Sequence, residues 1–302
     1  MVLLSATLLA LPSLPPAPEQ ESTAFPLVFT DDLEREVKLF GPPMKVVTLA
    51  PTNTQIVYAI GAGEKIVGVS RFDEFPPELV ERVRDGTVAT VGGGYDPSIE
   101  RIVALDPDII LANGQSQVSS KPMKRLQELG YEIVGMNPLD IEGVIENILL
   151  VGRMMDETER AKEIVQEMRK IIESVELKTA EAPKPKVYIE NWHDPIFTVG
   201  PGSIQDEMIS RAGGINIFSD LPKGSAQIGA EPVISRNPDI IISFNDQKIG
   251  LEVITNRPGW DIINAVKNNR VYLMDPQEGS PNPRIANSLL KMAELIHPEL
   301  FK

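Results

Sequence analysis

The 302-residue chain has no cysteine, only two histidines, and few aromatic residues, 5% of the total. Without cysteine there is no disulfide, thiolate zinc site, iron–sulfur cluster or cysteine nucleophile. Two imidazoles are too few for a His-rich metal centre. Positive charge is also short: 29 Lys and Arg face 43 Asp and Glu, a formal net charge of −14. That balance lacks the basic footprint that phosphate neutralisation demands, which argues against nucleic acid as a partner. No apolar run approaches the ~20 residues needed to span a bilayer. Phosphate-loop, zinc-protease, nucleophile-elbow and dinucleotide motifs are missing from the contexts they require, and no nucleophile is paired with a base.

What is present is enough chain for about two domains. The 42% hydrophobic and 24% charged fractions are those of an ordinary globular protein. The first residues, MVLLSATLLALPSL, are apolar and then break into Pro15, Pro16 and Pro18 before Glu19 and Glu21. Residues 1–24 read as a signal-like segment followed by a Pro-rich tether, although a basic leader region and a lipobox cysteine are both missing.

Beyond it, strand and helix signals alternate. Leu27–Thr30 and Glu36–Leu39 flank a turn at Asp31-Asp32. KVVTL (residues 45–49), KIVGV (65–69) and DIILA (108–112) are short buried-strand runs, separated by helical stretches. This alternation predicts an α/β layer on a largely parallel sheet. The middle differs. Asp156 and Glu159 have the spacing of a capping box. From there to about Lys178, apolar residues recur at helical spacing: Ala161, Ile164, Val165, Met168, Ile171, Ile172 and Val175. Some 22 residues of helix span roughly 33 Å, about the width of a domain. The expected organisation is an N-terminal α/β lobe over 25–155, a connecting helix over 156–180 and a C-terminal α/β lobe over 181–302.

The second half echoes the first. SIERIVALDPDIIL begins at Ser98, and GAEPVISRNPDIII begins at Gly229. The offset is constant at 131 positions, from Glu100 to Glu231 and from Pro107 to Pro238. Each copy has Glu in a first helical turn, where the helix dipole favours it. Local capping alone does not account for the whole element recurring in both halves. Two like lobes around one helix imply a cleft, where ligands tend to sit.

These motifs, in this order, together with KVVTLAPTNTQIVYAIGAGEKIVGVSRFDEFPPE, FTVGPGSIQDEMISRAGGINIF and SPNPRIANSLLKMAELIHPEL, resemble one family over roughly residues 25–300. It is the family of substrate-binding proteins of ABC importers for iron–siderophore complexes, vitamin B12 and haem. The resemblance implies two Rossmann-like α/β lobes joined by a single long backbone helix, with the ligand cleft between the lobes. It also implies an extracytoplasmic monomer with no enzymatic activity and no resident cofactor or metal. Its cargo would be a chelated metal compound, a ferric siderophore, a cobalamin-type corrinoid or haem, delivered to the permease dimer of an ABC importer. In the family one Glu per lobe pairs with permease arginines, and Glu100 and Glu231 occupy those positions.

Where vitamin B12 binders carry cleft aromatics, this chain reads Gly92-Gly93-Gly94, Asn113-Gly114 and Gly224-Ser225-Ala226-Gln227. The family-like ligand candidates are Thr52, Asn53, Arg71, Phe72, Phe75, Tyr95, Trp192, His193 and Arg284. Aromatic rings supply flat apolar contact, and Arg supplies planar recognition of oxyanions. Arg71 has Asp73 as a local partner. His297, before Pro298, marks the end of the last helix. The alternative is a metallochaperone or chelatase-like enzyme on the same bilobed fold.

Overall fold

The computed structural model describes residues 23–222, 224–244 and 249–302. The signal-like segment and tether expected over residues 1–24 lie, up to residue 22, outside the described residues. A hairpin opens the described chain, β1 (Leu27–Thr30) with β2 (Glu36–Leu39). Then come β3 (Val46–Thr48), α1 (Pro51–Ala59), β4 (Ile66–Val69), α2 (Pro77–Arg84), β5 (Ala89–Thr90), α3 (Ile99–Leu105) and β6 (Ile109–Asn113). This lobe closes with α4 (Gly114–Val118), α5 (Lys121–Glu128), β7 (Ile133–Met136) and α6 (Ile141–Met155). Its sheet is parallel throughout, in the order β5-β4-β3-β6-β7. Val46, Val47 and Thr48 are all buried, as expected for a strand covered on both faces.

After α7 (Thr158–Thr179) the pattern restarts with β8 (Lys186–Glu190), β9 (Phe197–Val199), α8 (Ile204–Arg211), β10 (Ile215–Asn216) and β11 (Ser225–Gln227). It ends with α9 (Ala230–Arg236), β12 (Ile240–Ser243), α10 (Leu251–Thr255), α11 (Asn264–Lys267), β13 (Val271–Leu273) and α12 (Ile285–Ile296). The second sheet is also parallel, ordered β10-β8-β12-β13, with β9 and β11 as a separate antiparallel pair.

The repeat seen in the sequence is a repeat of backbone. α3 and α9 have seven residues each, and β6 and β12 start at matching positions. Each Pro-Asp then does the same work. The Asp108 carboxylate accepts from the Lys45 N–H at 2.9 Å, and Asp239 accepts from the Lys186 N–H at 3.0 Å. Each Asp thus pins the start of the neighbouring central strand, β3 or β8, beside its own.

α7 lies between α6 of the first lobe and α12 of the second. Its buried face is Ala161, Val165, Met168, Ile172, Val175 and Thr179, a helical stripe shared with the main core. Gly152 lets α6 approach closely, because a Cβ there would stand 2.4 Å from the Ala161 Cβ. The capping box expected at Asp156 and Glu159 does not form. Asp156 instead closes α6 in the left-handed conformation, φ 61°, and α7 starts without a side-chain cap. The reversal between two antiparallel helices needs a left-handed residue there, and that requirement outweighs capping. The Asp156 carboxylate accepts from the Thr23 N–H at 2.7 Å. Among the described residues, no helix is long and apolar enough to cross a membrane.

Candidate functional site: the carboxyl ends of two sheets

In open parallel sheets, ligands collect outside the carboxyl ends of the strands, where strand order reverses. In the first lobe that point lies between β3 and β6, and in the second between β8 and β12. Leu49–Asn53 follow β3, Asn113 ends β6 and Gly114 opens α4, and Asn191–His193 follow β8. The loops Ser70–Phe75 after β4 and Val91–Asp96 after β5 extend the first wall.

Thr52 and Asn53 stand in the first turn of α1, which opens on Pro51. Thr52 is half-buried; Asn53 is 2% exposed, and its Nδ2 has no partner. The glycines of the next loop are needed for packing. A Cβ on Gly94 would come within 2.2 Å of the Gln117 Nε2. That amide donates to the Leu49 carbonyl at 3.3 Å, and its Oε1 accepts from the Asn113 N–H. Gln117 therefore fills the space beside the switch point of the first sheet.

Arg71 pairs with Asp96 at 3.1 Å, and its guanidinium lies 5.0 Å from the Phe72 ring centre. The partner suggested by the sequence, Asp73, is turned inward. Asp73 accepts from the Ser70 hydroxyl at 2.5 Å, and burial raises its carboxyl above the usual range against that bond. Phe72 and Tyr95 are exposed, and the Tyr95 hydroxyl is 3.4 Å from Ser116 Oγ.

On the second lobe Trp192 is exposed, donating from Nε1 to the Asp194 carbonyl at 3.0 Å. Beneath it lies a charged group that the sequence did not reveal. Glu190, the last residue of β8, is fully buried and accepts from both terminal nitrogens of Arg257, at 2.6 and 2.7 Å. Tyr188 donates to the same carboxylate at 3.1 Å. Burial, with the adjacent Glu190 charge, drives the Tyr188 hydroxyl well above its ordinary value. Arg257 also reaches His193 Nδ1 and lies 4.4 Å from the Trp260 ring centre. The same His193 Nδ1 lies 3.6 Å from Glu190 Oε1, so the imidazole belongs to this buried charged cluster. His297 is buried at the end of α12, with Nε2 3.3 Å from the Gly213 carbonyl oxygen.

Arg284 and Phe75 come together from opposite lobes, with the guanidinium 4.4 Å from the ring centre. The side chain that joins them to the rest was not anticipated. Gln55 is 4% exposed, donates to Gln277 Oε1 at 3.1 Å and accepts from Arg284 at 3.2 Å. Two cavities, of about 280 and 220 Å³, flank this contact. Gln55 closes the polar first half of α1, Thr52–Gln55, and nothing in the sequence ties it to Arg284.

Glu100 and Glu231 are exposed in the first turns of α3 and α9. Its own backbone N–H, then the Ser98 hydroxyl, hold the Glu100 carboxyl below the usual range. Ser98 caps α3 by accepting from the Arg101 N–H, whereas Gly229 offers α9 no side-chain cap. Among the described residues no three His, Cys, Asp or Glu side chains converge to hold a metal.

The sequence profile of the periplasmic binding proteins matches residues 46–278. An uncharacterized ABC transporter substrate-binding lipoprotein of Bacillus subtilis is 31% identical, over 94% of this chain and 90% of its own length. A vitamin B12-binding protein of Salmonella paratyphi A is 30% identical, over 68% of this chain and 74% of its own. The crystal structure of a possible iron-binding periplasmic solute-binding protein from Staphylococcus epidermidis superposes with a TM-score of 0.72 at 31% identity. It covers 84% of this chain and 99% of its own. With two parallel sheets facing one cleft across a connecting helix, the chain belongs to the periplasmic binding protein family.

Proposed function

We propose that this protein is an extracytoplasmic solute-binding protein that captures a chelated metal compound and hands it to an ABC importer. The cargo is a ferric siderophore, a cobalamin-type corrinoid or haem. The observation that carries the reading is the repeated unit that presents one exposed glutamate per lobe, Glu100 and Glu231, at equivalent backbone positions. Two carboxylates so placed suit a two-fold permease that offers arginines, through charge-assisted hydrogen bonds. Thr52, Asn53, Arg71, Phe72, Phe75, Tyr95, Trp192, His193 and Arg284 are the proposed cargo contacts. Polar side chains and rings dominate them, which suits a metal already wrapped in its chelator.

The test is tryptophan fluorescence. Trp260 is fully buried, so a change on binding reports the exposed Trp192. The protein is titrated with cyanocobalamin, hemin and a panel of ferric siderophores. Saturable quenching by one of them at micromolar or tighter affinity is expected. Flat responses to all would overturn the reading.

A further inference from the structure

Two junctions carry hydrogen bonds directly from one lobe to the other, and the internal repeat relates them. α1 and α8 each follow the central strand of a lobe, β3 directly and β8 by way of β9. α6 and α12 each close a lobe after its edge strand, β7 or β13. At the first junction Gln55 of α1 meets the entry to α12. It donates to Gln277 Oε1 at 3.1 Å and accepts at 3.2 Å from Arg284, the residue before α12. At the second, Glu207 of α8 meets the entry to α6. Its Oε2 accepts at 2.8 Å from the N–H of Ile141, the first residue of that helix. Each lobe thus reaches, with the helix after its central strand, to the start of the other lobe's last helix.

The junctions are alike in place and unlike in chemistry. The Ile141 N–H has no acceptor within its own helix, and a helix start favours negative charge. Glu207 supplies both acceptor and charge. Its Oε1 accepts from Arg211 Nε at 2.7 Å, and Arg211 continues to Glu176 on α7. One chain of charge-assisted bonds, roughly twice as strong as neutral ones, therefore joins α6, α7 and α8. At the first junction Gln277 is a second neutral amide. Arg284 brings a charge, but it meets only the Gln55 amide oxygen and the Phe75 ring, and neither returns a full opposite charge. Cavities of about 220 to 280 Å³ adjoin both junctions, so the difference is one of charge rather than of packing.

We infer that Glu207 is the positioning residue for the angle between the lobes: they pivot about the Glu207–Ile141 junction and part at the Gln55 junction. The weaker of two equivalent contacts yields first, and the stronger keeps the lobes in register while it does. The inference goes beyond the solute-carrier reading by naming the side on which the cleft widens. Its test uses the protein without cargo, so it stands or falls separately from that reading.

The chain has no cysteine, so spin labels can be attached at introduced pairs. Glu78→Cys with Asn287→Cys brackets the Gln55 junction, and Glu146→Cys with Ser210→Cys brackets the Glu207 junction; all four residues are exposed. Dipolar electron paramagnetic resonance reads both distance distributions in the otherwise wild-type chain, Gln55→Ala, Glu207→Ala and Glu207→Gln, with circular dichroism as the check on folding. In the otherwise wild-type chain the Gln55 pair should give the broader distribution. Gln55→Ala should move that pair outward by about 2 Å or more and leave the Glu207 pair unchanged. Glu207→Ala should broaden both, because the pivot is lost. Glu207→Gln keeps an acceptor for Ile141 but gives up the charge, and should broaden the Glu207 pair in part. A broader Glu207 pair in the otherwise wild-type chain, or an equal response of both pairs to Gln55→Ala, would overturn the inference. Distributions unaltered by the Glu207 variants would do the same. If Glu207→Ala fails to fold, the near-isosteric Glu207→Gln and the Gln55→Ala comparison decide.

Discussion

Asp106 and Asn237 hold the same left-handed conformation, φ 49° and 48°, at the ends of α3 and α9. Their side chains differ in use. The Asn237 Oδ1 accepts from the Asn264 N–H at 2.8 Å, while among the described residues Asp106 meets only Lys45, at 4.0 Å on the surface. Glycine removes the Cβ conflict at either position, yet at Asn237 it also removes a hydrogen bond. Asp106→Gly should leave stability unchanged or raise it by up to about 1 kcal/mol. Asn237→Gly should lower it by about 1 kcal/mol. Urea unfolding of the two variants checks this, and equal effects would show that the second lobe gains nothing from the bond.

If the proposed docking role holds, reversing both charges, Glu100→Lys with Glu231→Lys, should abolish stimulation of importer ATPase activity. Each single reversal should weaken it about tenfold or more, because a like-charge contact replaces an attractive one. Cargo titrations should be unchanged, since both side chains are exposed at helix starts. Lost cargo binding with normal stimulation would remove Glu100 and Glu231 from the docking face.

Glu190 and Arg257 form a buried pair, their side chains 0% and 10% exposed. Removing one partner strands the other. Glu190→Leu or Arg257→Met alone should therefore cost about 3–5 kcal/mol. The double variant Glu190→Leu with Arg257→Met should recover much of that loss, because no charge is left buried. Denaturant unfolding of all four proteins completes the cycle; simple additivity would contradict it.

Asp31 is 4% exposed, and its carboxylate accepts from Arg35 and from the Gly135 N–H at 2.8 Å. Burial alone would push its carboxyl up. The Arg35 bond first, and the backbone donors after it, outweigh burial and bring it below its ordinary 3.8. A carboxyl lowered by folding adds stability above that ordinary value, and the contribution is lost as pH falls through the folded value. Asp31→Asn should cost about 2–3 kcal/mol at pH 7. The gap from wild type should close as pH drops below about 4. A gap independent of pH would assign the loss to packing instead.

Short-range signals in the sequence translated directly into structure. The hairpin at residues 27–39, the buried strand runs and the stripe along α7 depend on neighbours a few positions away. The 131-position echo held for the same reason, since like local patterns build like supersecondary units. Asp156 shows the limit. Its capping-box spacing was local, but the turn between α6 and α7 had a stronger backbone demand.

The sequence by itself determined the parallel α/β character, the central helix and the paired glutamates, because periodicity, capping and repetition are written in neighbouring residues. Only the tertiary structure decided which charges meet. Arg257 reaches Glu190 across 67 positions, and Gln55 reaches Arg284 across 229. Those pairings depend on how loops at the ends of two sheets pack against each other, and no local pattern encodes that. Arg71 turned to Asp96 rather than Asp73 because burial had already claimed Asp73 for Ser70. Arg284 came to rest on the Phe75 ring and the Gln55 amide of the other lobe.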